Sequence, residues 1–377
     1  MVKVTILLSS VLGLLSSLNV SAKTEYTGDI INGHKVISKL DVSDFPLNSL
    51  TKLWLQMPRQ VNGQAYHVPV IVAKGKQDGN RFLMNSGLHG DELNGIRVVQ
   101  RVLHDIDLSK LKGVVVGVPG ANVNGMYEST RWFTNKEDSG SHVNLNREMP
   151  GEPNKGSFGQ RYAAHLWSSV YGSNNFTVVC DFHTTSTSGT FPNFVYADLT
   201  VPYVYRITEL TGADIVKIDL GVTALGSVES TFGKKGIPVI TYEIGNAKFW
   251  QKDQIQRGYD YSFRQIADLD MYPKTTDPAK IETYEKQRKN IYYGNEFLDT
   301  NVKTGGFVEL YAKPMDIVKT DQIIGTMFDV FGSKVEDFYP KADGLILSTN
   351  VNPLMTAGSF IVTVIRNSTD PACINGC

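Results

Sequence analysis

The chain has 377 residues, 41% of them hydrophobic and 20% charged, with a formal net charge of -1 at pH 7. That length suits a main domain plus a minor one, and the ordinary composition gives no reason to expect disorder. Without a basic surplus to displace counterions from phosphates, the chain lacks the electrostatics of a nucleic-acid binder, and small substrates fit better.

Residues 1–22 carry Lys3, an apolar run through Leu7, Leu8, Val11, Leu12, Leu14 and Leu15, and then Val20-Ser21-Ala22 before Lys23. This is the pattern of a signal peptide cut after Ala22, which predicts export to the periplasm or medium. The alternative is a membrane anchor, but serines and a glycine interrupt the run, which falls short of the roughly 20 residues a span needs. After cleavage no membrane association is expected.

From Arg81 the pattern alternates. Residues 81–86 read as a strand, Gly87–Gly90 as a tight turn and 91–104 as a helix with Leu93, Ile96, Val99, Val102 and Leu103 at helical spacing. Val114–Val118 is a continuous apolar strand, followed by a helix over 158–171, a strand over 177–182, a helix over 203–210 and a strand over 237–244. The expected fold is α/β, a mixed doubly wound sheet with its chemistry at the strand ends. A polar helical segment, 277–290, leads to short β-type runs after Gly305. The predicted organisation is a signal peptide over 1–22, a catalytic domain over 23–300, a small β domain over 301–368 and a tail over 369–377.

Three cysteines exclude a disulfide framework and a cysteine-zinc ribbon. Cys373 and Cys377 flank a short turn and can close a small loop in an oxidising compartment if their backbones approach. Cys180 reads as a small buried hydrophobe.

His89 and Glu92 stand three apart where a strand gives way to a helix, so both side chains can meet at the mouth of the sheet. Mixed nitrogen and oxygen ligands suit zinc, which keeps a catalytic position open when three protein groups hold it. His183 emerges at the end of Asp181-Phe182-His183 and is the third candidate. The bland alternative is a surface pair and a strand-terminal histidine. Asp181 shares a strand face with His183 by alternation; it is either an acceptor behind the histidine or a cap or solvated loop contact. His67, His104, His142 and His165 have no partner pattern and are read as structural or surface residues.

Four segments, in order, then become specific: Ser86-Gly-Leu-His-Gly-Asp-Glu-Leu-Asn-Gly95, Asn144-Leu-Asn-Arg-Glu-Met-Pro-Gly151, Asp181-Phe-His-Thr184 and Thr241-Tyr-Glu-Ile-Gly245. Together they resemble the motifs of the succinylglutamate desuccinylase/aspartoacylase family, related to the zinc carboxypeptidases, over about residues 80–365. The resemblance implies one zinc per chain, with His89, Glu92 and His183 as ligands and Glu243 as general base. It makes Asn146 and Arg147 the pair that holds a substrate carboxylate, and Arg131 similar to the arginine that polarises the scissile carbonyl. Glu243 also fits on its own terms, since an unpaired structural carboxylate in such a strand is costly. Asn144 stands where the family commonly has aspartate and Met149 where it has phenylalanine, differences that bear on the substrate. The β-rich end resembles a lipoyl-like sandwich expected to cover part of the pocket, with Lys341 an ordinary surface charge.

The reading is a zinc-dependent amidohydrolase acting on a small molecule or peptide with a carboxylate, an N-acyl amino acid or short peptide-like amide. Alternatives are a cell-wall peptidase or other carboxypeptidase or amidase, an esterase, and a non-catalytic zinc-containing binding protein, whose signature would be a missing ligand or a missing Glu243.

Overall fold

The computed structural model describes residues 23–377 apart from 138, 139 and 187, so the expected signal peptide lies outside the described residues. In chain order the first half contains strands β1 (Glu25–Ile31), β2 (His34–Lys39), β3 (Ser49–Arg59), β4 (Ala65–Lys74), β5 (Gln77–Ser86) and β6 (Lys112–Pro119), then a hairpin of β7 (Phe133–Glu137) and β8 (Gly140–Val143). Next come β9 (Val178–His183), β10 (Gly189–Thr190), β11 (Phe194–Ala197), β12 (Ile215–Ile218), β13 (Val239–Glu243) and β14 (Tyr292–Gly294). The helices are α1 (Leu93–Asp105), α2 (Val123–Glu128), α3 (Phe158–Leu166), α4 (Val204–Thr211), α5 (Val228–Gly233), α6 (Lys252–Asp268) and α7 (Pro278–Lys289).

Among the described residues, eleven of these strands form one mixed sheet in the order β1-β2-β3-β4-β6-β5-β9-β13-β11-β12-β14. Its centre, β6-β5-β9-β13, is parallel, while β4 and β11 flank it antiparallel. The parallel strands are nearly continuous runs of buried apolar residues because both faces are covered. Alternation sends Leu83, Val116, Val179 and Val239 to one core and Phe82, Met84, Val115, Val178, Cys180, Ile240 and Tyr242 to the other. α3 and α5 pack on the first face, and α1, α4 and α6 on the second. Cys180 is a buried free thiol, as expected.

Two elements differ from the sequence reading. The segment 158–171 is an α-helix only to Leu166; Trp167–Tyr171 continues as a π-turn. The helix after the His89 turn begins at Leu93 rather than at 91, so Glu92 caps it and joins His89 before its first turn. The strands over 25–74, four of the main sheet's eleven, and α6 were not singled out from the sequence.

The C-terminal part builds two further sheets. β15 (Glu296–Asn301), β16 (Gly306–Leu310), β17 (Ile317–Val318), β18 (Gly325–Phe328), β19 (Lys334–Phe338), β20 (Gly344–Asn350), β21 (Leu354–Met355) and β22 (Phe360–Arg366) follow one another. One sheet runs β10-β20-β22-β15, with β17 on β20, and the other β19-β18-β16-β21. Val302, Val318, Ile324, Met327, Ile346, Ile361 and Val362 share one core there. β10, six residues past His183, belongs to this C-terminal sheet, and Val351 N–H donates to Ser188 O. Cys373 and Cys377 are disulfide-bonded, and Lys341 is exposed. No helix among the described residues is long and apolar enough to cross a membrane.

Candidate metal centre

The turn from β5 to α1 needs two glycines. Gly87 has φ +70°, and a Cβ on Gly90 would lie 2.0 Å from the Gly125 carbonyl carbon, so neither position accepts a side chain without displacement. Glu92 is the N-cap residue of α1 but makes no capping bond with its side chain. Its carboxylate is drawn instead to His89 Nδ1 (2.7 Å), His183 Nδ1 (2.8 Å) and the Thr184 N–H (3.0 Å). His183 arrives from the C-terminal end of β9, so the tight turn and the strand end bring their groups to one point.

The three side chains are buried, and each offers one ligand atom within 4.8 Å of the others. His89 Nδ1 and His183 Nδ1 lie 3.1 Å apart. Two imidazoles and a carboxylate that converge in a buried site are a group that could hold a metal ion, and this donor set suits zinc. The far side of each ring is held. His89 Nε2 is 3.0 Å from Asn144 Oδ1, and His183 Nε2 donates to Asp181 Oδ2 at 2.9 Å. Asp181 in turn accepts from Asn85 Nδ2 at 2.7 Å, and Asn85 accepts from the Tyr171 hydroxyl. Such outer contacts fix ring orientation and leave both Nδ1 atoms facing inward. Of the two readings left open for Asp181, the structure has the acceptor behind His183.

Charge is tightly coupled here. Burial works to raise the Glu92 carboxyl, but the two histidines outweigh it and hold the group well below the usual carboxylate range. Burial pulls His89 down, whereas for His183 the adjacent Asp181 and Glu92 carboxylates overcome burial and raise it.

Glu243 ends β13, in register with His183 on the neighbouring parallel strand. Its Oε2 is shielded and has no hydrogen-bond partner. Burial pushes the carboxyl up to about 8, against the pull of His183. Arg131 Nη1 donates to Glu92 Oε1 at 2.7 Å and sits 3.0 Å from His89 Nδ1, so this arginine is at the ligand cluster itself. Asn146 is buried; its Nδ2 lies 3.2 Å from His183 Nε2 and its Oδ1 accepts from Val228 N–H, tying the motif to α5. Arg147 spends one donor on Asn146 O and is otherwise exposed, within electrostatic reach of Arg131 and Glu229.

All seven residues singled out from the sequence therefore sit around one site. Three others were missed as site residues: Asn144, Asn85 and Tyr171. Asn144 carried a signal, since it stands in the Asn-Leu-Asn-Arg motif; the other two are isolated polar residues in apolar stretches and became visible only by contact. His104 and His165 stay outside, paired with Asp105 and with Gln56 O.

Comparison with known proteins bears on the fold and the family. The fold is similar to that of a succinylglutamate desuccinylase/aspartoacylase from Rhodobacter sphaeroides (17% identity, TM-score 0.71, covering 86% of this chain and 98% of that one). It is similar to the same degree to a product-bound ectoine utilization protein from Ruegeria pomeroyi (15% identity, TM-score 0.71, 86% and 98% covered). An aspartoacylase family protein from Mesorhizobium loti matches at a TM-score of 0.69 and 15% identity over 93% of this chain and 100% of that one. In sequence, 143 residues are 29% identical to the N-alpha-acetyl-L-2,4-diaminobutyric acid deacetylase of Halomonas elongata, 37% of this chain and 39% of that relative's length. Residues 78–267, half of the chain, match the family model of the succinylglutamate desuccinylase/aspartoacylase catalytic domain. The chain belongs to the succinylglutamate desuccinylase/aspartoacylase family.

Proposed function

We propose that the protein is a zinc-dependent amidohydrolase that removes the acyl group from an N-acyl amino acid or a short peptide-like amide. The observation that carries this is the convergence of His89, Glu92 and His183 beside an unpartnered Glu243 carboxylate. Zinc held by those three residues supplies a Lewis acid for the scissile carbonyl and the attacking water. Glu243 takes the water's proton and returns it to the leaving amine, a task suited to a carboxyl whose burial raises its proton affinity. Arg131, already at the cluster, holds the oxyanion, and Arg147, with most of its guanidinium unspent, grips a substrate carboxylate. The two C-terminal sheets are read as a lipoyl-like β-sandwich over 301–368 that covers part of the pocket, supported by the pairing of β10 with β20.

The deacetylase similarity supports an N-acyl amino acid over the other amides. The signal-peptide pattern of residues 1–22 and the Cys373–Cys377 disulfide support export, which keeps a cell-wall or scavenged peptide as the second reading.

Hydrolysis of a panel of N-acyl amino acids and muropeptides by the mature protein tests the reading, and activity on none of them overturns it. On an active substrate, Arg147→Ala should lower kcat/KM about ten- to a hundredfold for the free acid and far less for the matching amide. Lysine should not restore it, because an ammonium lacks the two parallel bonds of a guanidinium. An equal loss on acid and amide would show that Arg147 does not read the carboxylate.

A further inference from the structure

A buried run of hydrogen bonds leads from His183 into the core and ends at Tyr171. Asn85 and Asp181 are register partners on the parallel strands β5 and β9, and both are fully buried. By alternation they share the sheet face of Leu83 and Val179, against which α3 packs. The Asn85 amide can sit only one way. Its Nδ2 donates to Asp181 Oδ1 at 2.7 Å, so its Oδ1 faces the Tyr171 hydroxyl, which must donate. Turned over, the amide would set its oxygen against a carboxylate oxygen. Asp181 Oδ2 accepts from His183 Nε2 at 2.9 Å, and His183 Nδ1 then faces His89 and Glu92. One phenolic proton thus fixes an amide, the amide a carboxylate, and the carboxylate the plane of an imidazole.

The irregular end of the 158–171 helix is what delivers the phenol. Gly172 N–H donates to Trp167 O, five residues back, at 2.7 Å, which closes the π-turn over Trp167–Tyr171. In an unbroken α-helix Tyr171 would stand about 140° around the axis from the buried Leu166. The wider turn lags that rotation and returns the ring to the core, where Tyr171 is 1% exposed and packs on Phe232. A phenylalanine would fill the same space; only the hydroxyl reaches Asn85. Turns of this kind occur frequently at functional sites.

We propose that Tyr171, placed by the π-turn, is a positioning residue for the metal centre: through Asn85 and Asp181 its hydroxyl holds His183 in the orientation that binds zinc, and so sets zinc affinity from three hydrogen bonds away. This rests on the zinc reading above and is independent of which amide is cut. Without the hydroxyl the buried Asn85 oxygen is left unmatched, and the amide that steadies Asp181 loses its fixed orientation.

The test measures the zinc affinity of the full chain by competition with a chromophoric chelator for the wild type, Tyr171→Phe, Asn85→Ala and the double variant. The unfolding midpoint of each metal-free protein is recorded alongside. Asn85→Ala should weaken zinc binding about ten- to a hundredfold, the range for an outer contact of a metal-binding histidine. Tyr171→Phe should weaken it at least about threefold. The double variant should lose no more than about twofold beyond Asn85→Ala, because both changes break one chain. A Tyr171→Phe protein that binds zinc like the wild type overturns the proposal, however far its unfolding midpoint falls, since the hydroxyl would then be structural alone. Single losses that multiply in the double variant overturn it too. If Asn85→Ala does not fold, the Tyr171→Phe affinity decides alone. A wild type that takes up no zinc overturns the metal reading together with the proposal, a result distinct from zinc binding that ignores Tyr171.

Discussion

Glu92 is the residue on which the site turns. At 1% exposure it binds both histidines, Arg131 and the Thr184 N–H at once, so it joins the turn before α1 to the end of β9. His89→Ala should remove a nitrogen ligand and lower zinc content measured by elemental analysis, and full zinc occupancy in that variant would sink the ligand assignment. Glu243→Gln is the contrasting change. It should retain zinc but lose hydrolysis by roughly 10²–10⁴-fold, since the amide is nearly isosteric yet takes no proton. Activity within a few-fold of the wild type would place the base elsewhere. Glu229 makes a stability prediction with a definite sign. Its carboxyl is raised in the folded protein, so the native state holds a proton that the unfolded chain releases near its ordinary value of 4.5. The associated stability is complete below 4.5 and is lost as pH rises through about 8. Glu229→Gln should therefore melt higher relative to the wild type at pH 8–9 than at pH 5, by a differential on the order of a few kcal/mol. A melting-temperature difference that is flat from pH 5 to 9 would contradict the buried, uncompensated state.

At the scale of elements, the meeting of Glu92 with His183 depends on how closely α1 lies on the sheet. Gly95 in its first turn has no room for a side chain: a Cβ there would be 2.5 Å from Phe182 Cβ and 3.2 Å from Ser86 Cβ. That contact sets the distance between Glu92, three residues upstream on the same segment, and His183, the residue after Phe182. Gly95→Ala should push α1 outward and cost about 1–3 kcal/mol, read from the urea midpoint. Zinc retention in competition with a chelator should weaken as well. An unchanged midpoint and unchanged zinc retention would mean that the helix adapts without moving its ligand. The same logic applies to the threonine-rich loop after His183, which is pinned at β10 by strand pairing with β20, so one edge of the site is held by the C-terminal sheets.

Across the whole molecule, the tail ties the last residues to the catalytic sheet. Lys217 on β12 is 1% exposed and donates to Cys377 O (2.8 Å), Asn295 O (3.1 Å) and Ile218 O (3.1 Å). Cys377 N–H donates to Asn295 O, and the Cys373–Cys377 bond holds this small loop in place. Opening the five-residue loop with a reductant should cost about 2 kcal/mol by the chain-entropy relation. The expected result is a lower melting temperature with zinc content unchanged, matched by a Cys373→Ser, Cys377→Ser double variant. A reduced protein that melts like the oxidised one would show that the hydrogen bonds alone secure the tail.

The sequence by itself determined the alternating centre of the fold, because that pattern is local, and it singled out His89, Glu92 and His183, which the fold brings together. Continuous apolar strands announce a sheet covered on two faces, and His89 with Glu92, or Asp181 with His183, sits within a few residues of a strand end. It also identified the Asn144–Arg147 segment and Glu243 by resemblance. What it left undecided was everything that depends on distant chain segments meeting. The strands over 25–74 widen the sheet by pairing through β4 with β6, a non-local contact that no short-range pattern encodes. Asn85 is an unremarkable polar residue until β5 lies beside β9 and its amide reaches Asp181. Glu229 carries no signal in the sequence; only where α5 packs on β13 does burial strip it of water and leave one oxygen without a partner. Burial and cross-strand register are properties of the assembled molecule, and they decide which carboxylates meet other groups and which are left without a partner.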